Sequence, residues 1–258
     1  PPPPPPPLFF STPTPPYAML RSLVGSEMCI RDRSSITKWS ISPYDEYALE
    51  NAMKLKESGA GDVVAISCGP ARAAKCLTEA AAVGADRLIH ILTDSALDSV
   101  QVQSLLSAAV KDSGCRVVMC GKQAADTNSG STGPGLASSL GFSCVGGVTE
   151  VSIDGELASA TRLGPAGLEK VEVAVPCVFT FDKGVDELRR PNVRGIMMAK
   201  KKPIDTLTPD DLGVNSGESL VRVNSHSSPP EKQPGQKFVG ADSVPQVVSK
   251  FREEANVI

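Results

Sequence analysis

Between residues 43 and 140 the chain alternates two hydrophobic rhythms. Across 43–59 the apolar residues fall at helical spacing: Leu49, Ala52 and Met53 share a stripe that Lys56 continues toward Gly59, a glycine placed to stop a helix. The preceding Ser42-Pro43-Tyr44-Asp45 reads as a helix start. Ser42 can cap, Pro43 suits the first turn, and Asp45 sits where a capping-box acid belongs. Residues 62–67 form a short continuous apolar run, the mark of a buried parallel strand, and Cys68-Gly69-Pro70 turns the chain. The pattern repeats as an Ala-rich helix over 71–83, a strand over 87–92, a helix over 99–111 with Val102, Leu105, Leu106 and Ala109 on one face, and a strand over 115–120. A loop from Gly121 to Pro134 then opens a short helix reaching Leu140. Strands alternating with helices of this length predict an α/β fold with a doubly wound, mostly parallel sheet.

The rhythm changes after Gly141. Residues 148–153, 157–162 and 168–181 read as strands, and Asp154-Gly155 signals a β-hairpin extension. Residues 183–202 read as an exposed basic loop feeding a helix turn. From Pro203 the chain is polar and broken by Pro229-Pro230 and Pro234-Gly235, with an amphipathic piece over 244–255. Residues 203–258 are therefore expected to be an extended C-terminal arm lying on a partner. The domain proper is expected over 34–202. Residues 1–33 differ: seven prolines and a Ser/Thr/Pro stretch favour polyproline II and bury nothing. The stretch 22–33 resembles translated sequencing-adaptor read-through. The reading is a disordered, non-native leader, preferred over a targeting peptide because the prolines oppose an amphipathic transit helix.

Composition narrows the classes. With 258 residues, 41% of them hydrophobic, one or two cores can form. A formal net charge of −3 supplies no basic surface of the kind nucleic acid demands, so no nucleic-acid partner is expected. No apolar run approaches the roughly 20 residues that span a bilayer, so no direct membrane insertion is expected. The cysteines, Cys29, Cys68, Cys76, Cys115, Cys120, Cys144 and Cys177, include no CxxC pair, and with only His90 and His226 there is no zinc spacing. Their odd count and apolar surroundings predict reduced, buried thiols in a reducing compartment.

In an open parallel sheet, ligands bind beyond the carboxyl ends of the strands, where strand order reverses. Two loops leave such ends. One is Cys68-Gly69-Pro70; the other is Gly121, Lys122, Gln123, Ala124, Ala125, Asp126, Thr127, Asn128, Ser129, Gly130, Ser131 and Thr132. The second opens a helix and is rich in small and hydroxyl-bearing residues. Its N–H groups, its hydroxyls and the positive helix end can hold an anion. Gln123 and Asp126 can bond a ribose or a base edge. An ordinary βα turn built of small residues has the same composition, so both readings stand, and the loop matches neither GxxxxGK[ST] nor GxGxxG. No catalytic residue is expected: Ser129 and Ser131 lack a base, because His90 reads as a satisfied core residue in a strand and His226 lies in the polar tail. Lys200-Lys201-Lys202 reads either as a patch for an acidic partner or as a solvated face beside a helix end.

Taken in order, several stretches resemble the β subunit of electron transfer flavoprotein: 42–50, beginning Ser-Pro-Tyr-Asp-Glu; Val64-Ala65-Ile66-Ser67-Cys68-Gly69-Pro70; 82–87; Gly121-Lys122-Gln123-Ala124 with Asp126; and, most specific, 195–204 followed by Asp211-Leu212-Gly213-Val214. The likeness covers about 40–258. It implies an adenine-nucleotide α-hydrolase-like fold and an electron-carrier subunit rather than an enzyme. It also implies a heterodimer with an α subunit that holds most of the FAD, and a structural AMP in this subunit. The AMP site would comprise Ser42, Pro43, Tyr44, Asp45, Cys68 and Gly121 through Thr132. Electrons would arrive from flavin dehydrogenases such as the acyl-CoA class and leave to a membrane quinone oxidoreductase. A partner loop would run over 187–199, with Val193 at the apolar anchor position and Glu187, Arg189, Ile196 and Met197 beside it. The compartment would be the mitochondrial matrix, or the cytoplasm in bacteria.

Several residues depart from the family pattern. Ser42 replaces Asn, and Glu187-Leu188-Arg189-Arg190 stands where Glu-Pro-Arg-Tyr is usual. Gly133-Pro134 also occurs in flavin-bifurcating relatives, where a second FAD replaces AMP. The family's first, central strand is expected to be missing, so that the chain folds badly or leaves a gap in the sheet. Two other functions compete. An adenine-nucleotide α-hydrolase would need a pyrophosphate loop or paired His motifs, which are lacking. A universal-stress-type nucleotide sensor would need neither the long arm nor the 196–202 segment.

Overall fold

The computed structural model describes residues 17–22 (backbone only), 40–94, 97–124, 128–184, 187–214, 219–221 and 235–254. The helix expected after Ser42 is α1 (Pro43–Glu57). The apolar run after it is β2 (Val63–Gly69), buried at every position because both of its faces are covered. The next elements are α2 (Ala74–Val83), β3 (Arg87–Leu92), α3 (Ser99–Ser113), β4 (Val117–Gly121) and α4 (Thr132–Leu140). Alternate strand residues feed two cores, as the period of two requires. Val63, Ala65, Val117 and Met119 meet Leu49, Met53, Leu77 and Ala80 of α1 and α2 on one face. Val64, Ile66, Val118 and Cys120 meet Leu105, Leu106, Leu136 and Ala137 of α3 and α4 on the other.

Tyr17–Ser22 forms a strand, β1, paired in parallel with β2 and β4. The gap expected in mid-sheet is therefore occupied by leader residues, and disorder throughout 1–33 is corrected for these six. Two unpaired parallel edges in mid-sheet leave rows of N–H and C=O groups that only another extended backbone satisfies.

The remaining strands are β5 (Ser143–Asp154), β6 (Leu157–Gly164), β7 (Gly167–Ala174), β8 (Cys177–Phe181) and β9 (Asp205–Leu207). The nine-stranded order is β7-β6-β5-β8-β4-β1-β2-β3-β9. The hairpin signal at Asp154-Gly155 holds: β5 and β6 are antiparallel, with Gly155 at φ 59°. The single strand expected over 168–181 is two. Pro176 lacks the N–H a ladder needs, and there the chain leaves β7 for β8, which inserts in parallel between β4 and β5. Residues 203–214, expected within the arm, belong to the sheet and its core: β9 extends the sheet beside β3, and Leu207, Leu212 and Val214 pack on the α3 core. A short helix, α5 (Val193–Ala199), precedes it.

Residues 1–223 make one compact unit and 224–258 a second. In the second, Ala241–Ser243 forms a 3-10 turn that leads into α6 (Val244–Glu253), none of whose residues is buried and which carries Val244 and Phe251 on its surface.

From β1 the chain winds through β2 to β3, and α3 then returns it across β1 to β4. The winding reverses between β1 and β4, so the carboxyl ends of these strands border the switch-point crevice where open α/β sheets take ligands.

Candidate functional site

Gly121 ends β4 at this reversal. Its N–H donates to Asp45 Oδ1 at 2.7 Å, which ties the first turn of α1 to the strand end. A Cβ on Gly121 would fall 2.7 Å from Tyr44 Cβ and 2.9 Å from the Asp45 nitrogen, so only glycine permits this approach. The capping box expected at Ser42 does not form: α1 begins after Ser42 with no side-chain cap, because Asp45 faces the strand end. The Ser42 hydroxyl is buried without a hydrogen-bond partner.

Lys122 follows. Its Nζ sits 2.7 Å from Asp182 and 5.1 Å from the Tyr44 ring centroid, and Lys183 Nζ lies 5.8 Å from the same centroid. The hydrogen bond to Asp182 is the main reason the Lys122 amine is held above its ordinary pKa. Burial pushes the Asp182 carboxyl up, but the Lys122 hydrogen bond and charge outweigh it, leaving the group below the usual range. Asp182 and Lys183 had no local signal; they follow β8, and only the insertion of β8 beside β4 brings them here.

The loop closes on itself. Gln123 Nε2 donates to Asn128 Oδ1 at 2.9 Å and the Asn128 N–H to the Ala124 carbonyl at 3.0 Å, with Asn128 at φ 52°. The Gln123 amide nitrogen thus engages the loop itself. Ala125, Asp126 and Thr127 lie outside the described residues. Ser129 is exposed. Gly130 approaches the Lys122 carbonyl. Ser131 precedes α4 without a side-chain cap, and its hydroxyl is also buried and unpartnered. Gly133 presses on β8, where a Cβ would lie 2.2 Å from Thr180 Cγ2. Asp45, Gly121, Lys122, Gln123, Ala124 and Thr132 line a cavity of about 10 Å³, room for about one water.

Cys68 is not among the lining residues. It packs in the α3 core, and burial pushes its thiol up to about 12. Among the described cysteines all are free, and only Cys144 is exposed. His90 is buried 3.0 Å from the Gly69 carbonyl, and burial holds it below the ordinary histidine pKa, as expected of a satisfied core residue. His226 lies outside the described residues.

The expected partner loop has no regular secondary structure over 187–192 and is helical over Val193–Ala199. Asn192 caps α5 by accepting from the Gly195 N–H at 2.7 Å, and Gly195 lets α5 sit against the Ala82 carbonyl. Val193 is 76% exposed and Met197 62%, while Ile196 is 41% exposed and Glu187 lies on the surface. Arg189, expected among the partner-facing residues, turns onto α1, where the buried Glu50 carboxylate demands a cation. Beside it runs a groove of about 980 Å³ bordered by Ile41, Glu46, Glu50, Glu79, Arg189 and Pro191. Among the described residues no helix is long and apolar enough to cross a membrane.

These features define an α/β protein with glycine-built strand ends and two uncapped helix starts at a switch-point crevice, and an exposed apolar helix elsewhere. The model of the electron transfer flavoprotein domain matches residues 35–212. The chain is 35% identical over 228 residues to the electron transfer flavoprotein subunit beta of Bacillus subtilis, covering 86% of this chain and 89% of that one. It is 34% identical to the human subunit beta, over 84% and 85% of the two chains, and 33% identical to the mitochondrial subunit beta of Arabidopsis thaliana, over 86% and 88%. The chain belongs to the electron transfer flavoprotein β-subunit family. Its role is electron transport in a flavin-associated heterodimer with an α subunit, and its relatives include mitochondrial and bacterial forms.

Proposed function

We propose that this β subunit holds an AMP as a structural cofactor at the switch point. The observation that carries the reading is the pair of helix starts at Ser42 and Ser131, both with buried, unpartnered hydroxyls, beside Lys122 and a strand end too close to α1 for any residue but glycine. Each helix start carries a partial positive charge, worth about 0.3–1 kcal/mol toward an anion. Pro43, Tyr44, Asp45, Lys122, Gln123 and Asn128–Thr132 surround the adenylate, and Gln123 and Asn128 part to admit it, since the cavity there is about 10 Å³.

The exposed apolar face of α5 docks flavin dehydrogenases of the acyl-CoA class. A single anchor such as Val193, once fully buried, is worth about 1.5–3 kcal/mol, which suits a transient partner. FAD, held mainly by the α subunit, supplies the acceptance and release of electrons, which pass on to a membrane quinone oxidoreductase. The second unit, with α6 and its exposed Val244 and Phe251, lies on the α subunit. The compartment is the mitochondrial matrix, or the cytoplasm in a bacterium.

The test is to co-express the full chain with an α subunit, purify the complex and identify the acid-released nucleotides by mass spectrometry. One AMP and one FAD per heterodimer is the expected result. Two FAD per heterodimer, or no adenylate besides FAD, overturns the assignment of AMP.

A further inference from the structure

The residues of α5 are exposed, yet the strap that presents them is pinned. Arg189 donates from Nε to Glu50 Oε2 and from Nη2 to Glu50 Oε1, both at 2.9 Å, and its backbone N–H reaches Glu50 Oε2 at 3.1 Å. Nη1 donates to Glu57 Oε1 at 2.6 Å, and Nη2 also reaches Glu57 Oε2 at 3.3 Å. The Glu50 side chain is only 6% exposed. Such a carboxylate is costly to bury unless it is paired. Among the described residues, the hydrogen bonds that tie 187–191 to the rest of the unit all come from Arg189.

Glu50 and Glu57 stand two turns apart on one face of α1, so the guanidinium spans a fixed length of one rigid helix. Four residues further along the strap, Val193 begins α5. We propose that Arg189 is a positioning residue, which clamps the 187–191 strap to α1 and thereby sets the apolar face of α5 for docking the electron donor. The proposal rests on the docking reading given above. A lysine cannot replace the clamp, since the geometry uses a planar fork with several N–H donors.

The test uses the full chain with its α subunit and measures steady-state electron transfer from an acyl-CoA dehydrogenase as the complex is titrated. Arg189→Ala raises KM for the complex about tenfold with kcat and flavin content unchanged, and lowers the melting temperature because the buried Glu50 loses its cation; Glu57→Gln leaves Glu50 paired and is read without that cost. Arg189→Lys restores little of it. Glu57→Gln, at an exposed carboxylate that leaves the fold intact, raises KM two- to threefold. Added to Val193→Asp, Arg189→Ala has no further effect, because the face it positions is already disabled. A fall in kcat equal to the rise in KM, or a full Arg189 penalty in the Val193→Asp background, overturns the assignment. If Val193→Asp raises KM and neither Arg189→Ala nor Glu57→Gln does, the Arg189 role alone falls. If Val193→Asp leaves KM unchanged, the docking reading falls and this proposal with it.

Discussion

Within the main unit, four helices begin after a residue with an oxygen-bearing side chain, and they are of two kinds. Asp98 closes the first turn of α3 with a full capping box, accepting from the Gln101 N–H at 2.9 Å while its own N–H donates to Gln101 Oε1 at 3.0 Å. Asn192 caps α5 with one bond, its Oδ1 accepting from the Gly195 N–H. Ser42 and Ser131, before α1 and α4, make no cap bond, and their hydroxyls are buried without partners. A helix start that faces only its own protein satisfies its donors from within, since leaving them unmet costs about 1–3 kcal/mol each. The two starts that border the β1/β4 reversal leave buried hydroxyls for an outside partner.

The largest effect expected is at the strand end that brings these starts together. Gly121→Val places a side chain against the Tyr44 and Asp45 backbone, and should destabilise the unit by about 2–3 kcal/mol and release the bound adenylate. Thermal melts with nucleotide analysis check this, and a melting temperature like the parent's would show that the approach is not required.

Asp98→Ala comes next, at about 1–2 kcal/mol measured by denaturant unfolding. This contribution is pH-dependent. Hydrogen bonding from the Gln101 N–H, with that from Leu220, holds the Asp98 carboxyl below the usual range in the folded state. A depressed folded pKa means the stabilisation is present above the unfolded value of about 3.9 and is lost as pH falls through the folded value. Parent and variant should therefore begin to converge as pH falls below about 4 and meet once it has passed the folded value; a gap that stays constant over that descent would show that the charge is not what Asp98 contributes.

The smallest stability effects sharpen the contrast most. Ser42→Ala and Ser131→Ala should each change nucleotide-free stability by less than about 0.5 kcal/mol, because no cap bond is lost. The same variants should weaken AMP retention about five- to tenfold, or about 1–1.4 kcal/mol, in a competition assay. If Ser42→Ala costs the nucleotide-free protein as much as Asp98→Ala does, the two kinds of helix start are the same and the comparison fails.

The amino-acid sequence by itself determined the alternation of α1–α4 with β2–β4, the helix start at Pro43, the Asp154-Gly155 hairpin and the loop that leaves β4. These are set by neighbours within a few residues, through period, turn chemistry and glycine freedom. Only the tertiary structure decided which strand lies beside which. It put Tyr17–Ser22 at the centre of the sheet, β8 beside β4 and β9 on the far edge, since periodicity encodes which face a residue shows and not what it meets there. The same limit hid the roles of side chains at the site. Asp45 reads locally as a capping acid, yet it holds the Gly121 N–H 76 residues away, and Arg189 reads as a surface charge, yet it answers a buried Glu50 139 residues away. A polar group brought out of water must be paired with whatever the fold places beside it, and sequence spacing carries no record of that partner.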